Sequence, residues 1–590
     1  MRRTTFRSPA GALALLTALA LLVGCSSSAP AQGSQSSQAP NSRAGLFPLP
    51  DESAGTRLGP TDPARQISLS ISMAGASDDE IARALAAIED PKSPEYHHYL
   101  TPEEYTRRFG PSAAALAAVE RSLRVAGFAV TPPAAGGSLV GAQGTVGQAE
   151  TLFAVRLSDY RTARGEVYYA PDAAPRLPAD WKGAALNVLG LNNRPALHPA
   201  GISQVAQGGD QPPPPRLLTP VEIERAYSIA PLHLAGLNGE GQTIALPEID
   251  TFKQFDIDYY DRTYGLNTNP IEVVEVNGGA SKAKEVSETT LDIEIIHAIA
   301  PRVKIIVYEG PADFNGLANT FNRIVSDNRA KVMSVSLGGC EPAILQDPDL
   351  GRNYFTTLNN IFRQAAAQGM TVFVSSGDDG AYTCHRNDPN DNTVSASLPA
   401  TSPFVTAVGG TALLVNNDGS YFGEAGWEGP LAATGGGGGL SVGYLRPDWQ
   451  TGPGVSNQYS SNGRQIPDVS ASADPLTGYR IYDSTGGLCR GEDCWVAVGG
   501  TSASSPLWAS LITLANQRAS SNGKPTMGFI NPALYQMGSD ATLRAAFHDV
   551  TVGGNLYYPA TSNWDYSTGW GSPVADKLVA ELLTLRSTGG

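Results

Sequence analysis

A serine that attacks a carbonyl carbon needs a base for its proton, a donor for the oxyanion and a turn that exposes its hydroxyl. The stretch Gly499-Gly500-Thr501-Ser502-Ala503-Ser504-Ser505-Pro506 offers the turn. The apolar run Trp495-Val496-Ala497-Val498 before it reads as a buried strand, and Leu507 to Ala515 after it carries apolar residues at helical spacing. Two glycines permit a tight strand-to-helix turn, and Pro506 suits a helix start, where a missing N–H costs nothing. Ser502 is thereby placed where a helix begins, with backbone amides beside it. Alone, such a serine is an ordinary helix cap, so any chemistry depends on partners elsewhere in the chain.

Two acidic stretches are candidates for those partners. Glu288-Thr289-Thr290-Leu291-Asp292 opens a helical stretch that ends at Pro301, and the i, i+4 spacing puts Glu288 and Asp292 on one face, ~40° apart. His297 falls about 180° from Glu288 on the same helix, so it points away as a base. Acids in a first turn also simply complement the helix dipole. Val374-Ser375-Ser376-Gly377-Asp378-Asp379-Gly380 reads as a strand and a Gly-flanked loop, where an Asp is commonly a turn residue. Acting together, the three have a definite chemistry. A carboxylate is a weak base, but burial and a second carboxylate can adjust it to accept the serine proton. Asp378 donates to an oxyanion only while protonated, because an ionised carboxylate is purely an acceptor. One carboxyl must be charged and another neutral, which predicts activity in acid.

In order and spacing, Glu-x-x-x-Asp, Ser-Gly-Asp and Gly-Thr-Ser-x-Ser-x-Pro resemble the sedolisin (kumamolisin-like) family of serine-carboxyl peptidases. Gly435 to Ser441, Pro467-Asp468-Val469-Ser470-Ala471 and Thr406 to Thr411 extend the resemblance. Pro91 to Tyr105, with His97 and His98, looks like the family's activation domain, so the likeness spans both parts of the chain. It implies a subtilisin-like fold with Ser502 as nucleophile, Glu288 as general base, Asp292 orienting Glu288 and Asp378 as oxyanion donor. Glu248 becomes an outer carboxylate hydrogen-bonded towards Glu288. Many members carry Trp where this chain has Leu337, and a leucine cannot donate a hydrogen bond, which puts the outer relay through Glu248 in question. The resemblance also implies one Ca2+ near the carboxyl terminus. Asp549 and Asp565 would bind it through side chains, and Val550, Thr561 and Asn563 through backbone oxygens. Gly commonly stands at the positions of Thr561 and Asn563.

These residues need a frame. Thr243–Leu246, Val303–Tyr308, Val332–Ser336, Thr371–Val374 and Phe404–Val408 are mostly apolar runs, with helical stretches near 289–300, 314–326 and 354–368 between them. That alternation means a parallel sheet covered on both faces, with its ligand crevice at the carboxyl ends of the strands. The fold class expected is α/β, a subtilisin-like parallel sheet flanked by helices and preceded by an α+β (ferredoxin-like) pro-domain. In the amino-terminal part, Ile67–Ile71 alternates as a strand, Asp78–Asp90 and Ser112–Ala126 read as amphipathic helices, and Phe128–Val130 and Leu152–Val155 as short strands. His97 and His98 read as partly solvated packing residues.

The expected organisation is a lipoprotein-type signal peptide at 1–25, a flexible tether at 26–48, an activation pro-domain at 49–196, a linker with the processing site at 197–217 and a catalytic domain at 218–590. Arg2, Arg3 and Arg7 precede an apolar run too short for a comfortable span, and Leu22-Val23-Gly24-Cys25 resembles a lipoprotein box. Lipid on Cys25 would tether the precursor to a bacterial envelope, and cleavage would free the peptidase. A net charge of −15 argues against nucleic acid or an anionic membrane surface as main partner. The partners expected are protein or peptide substrates and the chain's own pro-domain as inhibitor, in a monomer. Of five cysteines, Cys489 and Cys494 are the natural local pair, which leaves Cys340 with Cys384. The function expected is an exported, acid-acting endopeptidase made as a self-processing zymogen. Three alternatives are a tripeptidyl-peptidase of the same family, an Asp-His-Ser hydrolase, for which no histidine has the required setting, and a catalytically silent binding protein.

Overall fold

In the catalytic part, seven strands follow the path β2–β3–β1–β4–β5–β6–β7, where β1 is Thr243–Glu248, β2 Glu272–Glu275, β3 Lys304–Glu309, β4 Val332–Val335, β5 Thr371–Ser375, β6 Thr406–Val415 and β7 Tyr421–Gly426. An eighth, β8 (Val469–Ser472), lies parallel beside β6. All pairings are parallel except β6 with β7. The structure is a computed structural model. It describes residues 55–133, 137–162, 165–195, 198–199, 203–204, 217–280, 287–347, 349–429, 434–485 and 494–587. The leader, Cys25, the tether and Cys489 lie outside the described residues. Each apolar run read as a parallel strand is one, because strands buried on both faces need continuous hydrophobic sequence.

Helices cover the two faces: α1 (Ser287–Ile299), α2 (Phe314–Asp327), α3 (Gly351–Ala367) and α4 (Thr501–Ser521). α1 and α4 belong to one core, where Leu291, Ile295 and Ile299 meet the cluster of Ala503, Leu507 and Leu511. α4 is buried all round from Thr501 to Asn516, so its hydroxyls must be satisfied internally. Ser504 Oγ donates to the Ala471 and Ser472 carbonyls at 3.0 and 3.1 Å, Ser505 pairs with Ser334 at 2.9 Å, and Trp508 Nε1 donates to the Ser470 carbonyl at 2.8 Å. These bonds dock α4 on β4 and β8 and fix the position of Ser502.

The amino-terminal part is α+β, as expected. Ala129–Thr131, Leu139–Thr145, Gln66–Met73 and Ala185–Leu189 form a four-stranded antiparallel sheet, beside a second sheet of three strands. Pro50–Gly590 is one compact unit, and the central strand explains how the two parts join. Ile67, Leu69 and Ile71 enter the pro-domain core, while the alternate serines face the catalytic part. Asn319 Nδ2 donates to Ser70 Oγ at 2.8 Å and Thr357 Oγ1 to Ser72 Oγ at 3.0 Å. The polar face of that strand is thus buried against α2 and α3 instead of facing water.

Three readings are corrected. Leu152–Val155 is not a strand: Leu152 and Phe153 end the helix Val146–Phe153, which Thr145 and Gln148 start with a capping box. Pro506 is not at the start of its helix but inside it; the consequence is described below. His97 is buried at 9% exposure, with Nε2 2.9 Å from Nη1 of Arg586 on the terminal helix. Arg586 also pairs with Glu89 at 3.0 Å, so the end of the chain is held by the pro-domain. Cys340 and Cys384 form a disulfide as expected, and Cys494 is also disulfide-bonded.

Candidate active site

The candidate residues meet where β1 and β5 end and α4 begins. After the turn residues Gly499 and Gly500, which follow the strand Trp495–Gly499, α4 starts at Thr501. Gly500 has φ +125°, and a Cβ on Gly499 would lie 2.3 Å from the Ala473 carbonyl oxygen, so both positions require glycine. Ser502, the first candidate, is fully buried and its Oγ has no hydrogen-bond partner.

Pro506 has no N–H to offer the Ser502 carbonyl one helical turn back. That carbonyl is met instead by Ser336 Oγ at 3.3 Å, and the same hydroxyl lies 2.9 Å from both oxygens of Asp292. A proline inside the helix therefore leaves the Ser502 backbone tied to Asp292 through Ser336. One hydroxyl proton cannot serve all three contacts; a protonated Asp292 donating to Ser336 satisfies them.

Glu288 and Asp292 lie on α1 and are both buried. The Ser502 hydroxyl is close enough to Glu288 to favour its ionised form, yet no hydrogen bond is closed and both Glu288 oxygens lack a partner. Catalytic contacts of this kind commonly tighten only with substrate. Burial pushes Glu288 well above the ordinary carboxyl range, and the neighbouring Asp292 adds to this. Burial also pushes Asp292 well up, against the opposing effect of the Ser336 bond. Glu248, at the end of β1, is buried and raised by burial and by Asp292, Asp250 and Glu288. The Thr289 hydroxyl stands near enough to Glu248 to favour its ionised form, but neither Glu248 oxygen closes a hydrogen bond and the outer relay towards Glu288 is not formed; Leu337, fully buried, provides no donor.

Asp378 follows β5 in a loop whose Gly377 has φ +110°. Its Oδ1 accepts from the Thr501 amide at 2.7 Å and the Thr501 hydroxyl at 2.8 Å, while its Oδ2 is buried and bare. Burial pushes its carboxyl up to about 7. A proton on Oδ2 leaves the two Thr501 bonds intact and makes that oxygen a donor. The glycine run supports this loop from behind. Gly435 N donates to the Asp378 carbonyl at 2.9 Å, and a Cβ on Gly437 would fall 2.0 Å from the Ser376 carbonyl oxygen.

The structure thus brings Ser502, Glu288, Asp292, Asp378 and Glu248 together. It adds Asp250, which sequence reasoning missed because an Asp just after a strand reads as a turn residue. His297 points away, as its helical angle implies, and pairs with Asp261 at 3.0 Å. Asp468, in the Pro467–Ala471 stretch, is fully buried against Arg464 at 2.5 Å and serves the core. At the carboxyl end, Asp549 accepts from the Asn563 amide, and Asp565 accepts from the Thr561 amide at 2.7 Å.

A buried serine among carboxyls on a parallel α/β frame defines a subtilisin-like peptidase site without an imidazole. Comparison with known proteins agrees. Residues 53–194 match the pro-kumamolisin activation domain, and residues 258–571 match the subtilase family. The chain is 30% identical over 559 residues to kumamolisin of Bacillus sp. (strain MN-32), covering 89% of this chain and 93% of that protein. It is 32% identical over 545 residues to sedolisin of Pseudomonas sp. (strain 101), covering 87% and 86%, and 26% identical over 569 residues to human tripeptidyl-peptidase 1, covering 89% and 93%. A solved structure of Pseudomonas sedolisin, a serine-carboxyl proteinase complexed with pseudo-iodotyrostatin, is similar with TM-score 0.54 and 31% identity, over 64% of this chain and all of that one. The chain belongs to the sedolisin family and is a serine-type peptidase with an activation domain.

The raised carboxyls make a stability prediction. Their folded values exceed the unfolded ones, so the stabilisation is complete below about pH 4 and is lost as pH rises through about 7, where Asp250 and Asp378 titrate. Buried His97, pushed down to about 3, acts in the opposite sense, but only below its unfolded value of about 6.5. The raised acids outnumber His97 and His548, which act in the opposite sense, so the full-length Ser502→Ala protein is expected to lose melting temperature between about pH 4 and about pH 7. A melting temperature that rises over that interval contradicts the burial of these acids.

Proposed function

We propose that the chain is an acid-acting endopeptidase made as a precursor that cleaves itself. Ser502 Oγ attacks the scissile carbonyl carbon and passes its proton to Glu288. The carbonyl oxygen takes up negative charge and receives a hydrogen bond from protonated Oδ2 of Asp378. Glu288 returns the proton to the departing amine, which leaves an acyl-enzyme on Ser502. Water then attacks the acyl carbon and loses a proton to Glu288, the acyl C–Oγ bond breaks, Glu288 hands that proton to Ser502 Oγ, and the acyl group leaves as a carboxylic acid. Asp292 orients Glu288 from the same helix. The observation that carries this reading is the Asp378 carboxyl, held through one oxygen by the residue next to Ser502 with the other oxygen bare.

Two pieces of the linker support self-processing. His198–Pro199 pairs antiparallel with Leu337–Gly338, directly after Ser336, and Ser203–Gln204 pairs antiparallel with Val498–Gly499, shortly before Ser502. Polypeptide is thereby laid along both flanks of the nucleophile, as a substrate would be. A tripeptide-releasing site must close one flank to a continuing chain, so pairing on both flanks favours the endopeptidase over the tripeptidyl-peptidase. Export by the leader, a lipid on Cys25, a monomeric state and release of the peptidase unit on cleavage complete the reading. Among the described residues no helix is long and apolar enough to cross a membrane. On acidification the wild-type precursor is expected to convert to a shorter form whose first residue lies within 197–217, while Ser502→Ala stays intact. Equal conversion of the two proteins defeats self-processing.

One Ca2+ at the carboxyl end belongs to the same proposal. The donors fit an oxygen-binding cation. Asp549 and Asp565 both bond backbone amides of the loop 561–565, at Asn563 and Thr561, and none of the hydrogen bonds among the described residues ends on the Val550, Thr561 or Asn563 carbonyls. Asn563 has φ +69°, a position where glycine is at ease, and Arg544 holds its side-chain oxygen. Bound Ca2+ would cross-link the 549–550 segment to this loop and stabilise the fold. A chelator is expected to lower the melting temperature, with restoration by added Ca2+; a melting curve indifferent to both removes the ion from the account.

A further inference from the structure

Asp250 is a buried carboxyl of the cluster to which the mechanism assigns no task. It comes just after β1, is 4% exposed, and reaches the first turn of α1 from outside that helix. Thr289 Oγ1 donates to its Oδ1, and the backbone amides of Glu288 and Thr289 act on the same carboxyl. Its Oδ2 is buried and bare. Asp250 therefore grips the peptide unit of the proposed base itself.

Its charge reaches the other acids as well. Glu248, Glu288 and Asp292 face it, and a negative Asp250 raises the proton affinity of all three. Asp378 adds to the field at Glu288 from the far side. Asp250 accepts from a hydroxyl and amides at the positive end of α1, whereas the oxygens of Glu248 and Glu288 are bare. Of these acids it is the one best built to carry a negative charge.

We propose that Asp250 is a positioning residue of this site, clamping the backbone of Glu288 at the head of α1 and competing with Glu288 for the negative charge of the cluster. It thereby sets where the base stands and the pH at which the base ionises. This role rests on the reading of Glu288 as the base.

Two substitutions separate the two effects. Asp250→Asn keeps an acceptor oxygen and the shape but removes the charge, and Asp250→Ala removes both. kcat and KM are measured between about pH 3 and about pH 7 on an internally quenched oligopeptide, with the melting temperature of each variant. Asp250→Asn is expected to retain most of its kcat, with the acid limb of kcat/KM moved to lower pH by about half a unit or more. Asp250→Ala is expected to lose about tenfold or more in kcat with KM nearly unchanged. An acid limb that stays in place in Asp250→Asn, or a wild-type kcat in Asp250→Ala, overturns the proposal; if Asp250→Ala does not fold, the limb in Asp250→Asn decides. Glu288→Gln is measured beside them. If it retains activity, the base assignment falls and this role with it. If it is inactive while both Asp250 variants behave as wild type, the role of Asp250 alone falls.

Discussion

The structure depends on burying several carboxyl groups around one serine, four of them without an ion-pair partner among the described residues. Glu248, Asp250, Glu288 and Asp292 are each at most 4% exposed, and among the described residues none of them forms an ion pair. Ionised acids in such a place are very costly, so most of them must carry protons. That is a cost at neutral pH and a resource in acid. A neutral carboxyl is a hydrogen-bond donor, which an oxyanion needs, and a carboxyl that stays ionised is the acceptor a serine proton needs.

The frame holds these groups by unusual means. α4 runs through the core, and Pro506 within it frees the Ser502 carbonyl for Ser336, which also touches Asp292. The Asp378 loop is backed by a glycine run, where a side chain on Gly437 would collide with the Ser376 carbonyl. The disulfide Cys340–Cys384 ties the strand that begins at Leu337 to the segment following Asp378. The pro-domain then closes over the helices on the opposite side of the sheet, using the serines of one strand and the grip on Arg586.

Much of this was legible in the sequence. Continuous apolar runs between helical stretches can only be a covered parallel sheet, and the Gly-Gly turn, the i, i+4 acids and Ser-Gly-Asp each announce a local geometry. Their convergence was legible only through resemblance to a family, because no local pattern says that Glu288 and Ser502 meet. Some of the misses share that cause. Asp250 acts on residues far along the chain, and the alternation of Ser70 and Ser72 with apolar residues looks like a solvated strand face until a second domain covers it. His97 was read as partly solvated because its partner, Arg586, lies at the other end of the chain. Leu152–Val155 was misread for a local reason: the capping box at Thr145 outweighs a short apolar run.

The central claim is that a carboxylate takes the serine proton while a neutral acid meets the oxyanion. The pH dependence of kcat/KM for peptide hydrolysis by the processed enzyme tests it most directly. The account predicts activity in acid that falls away as pH rises through about 7, where Asp378 loses its proton. A rate that climbs steadily from about pH 4 to about pH 8, as an imidazole base would give, contradicts it.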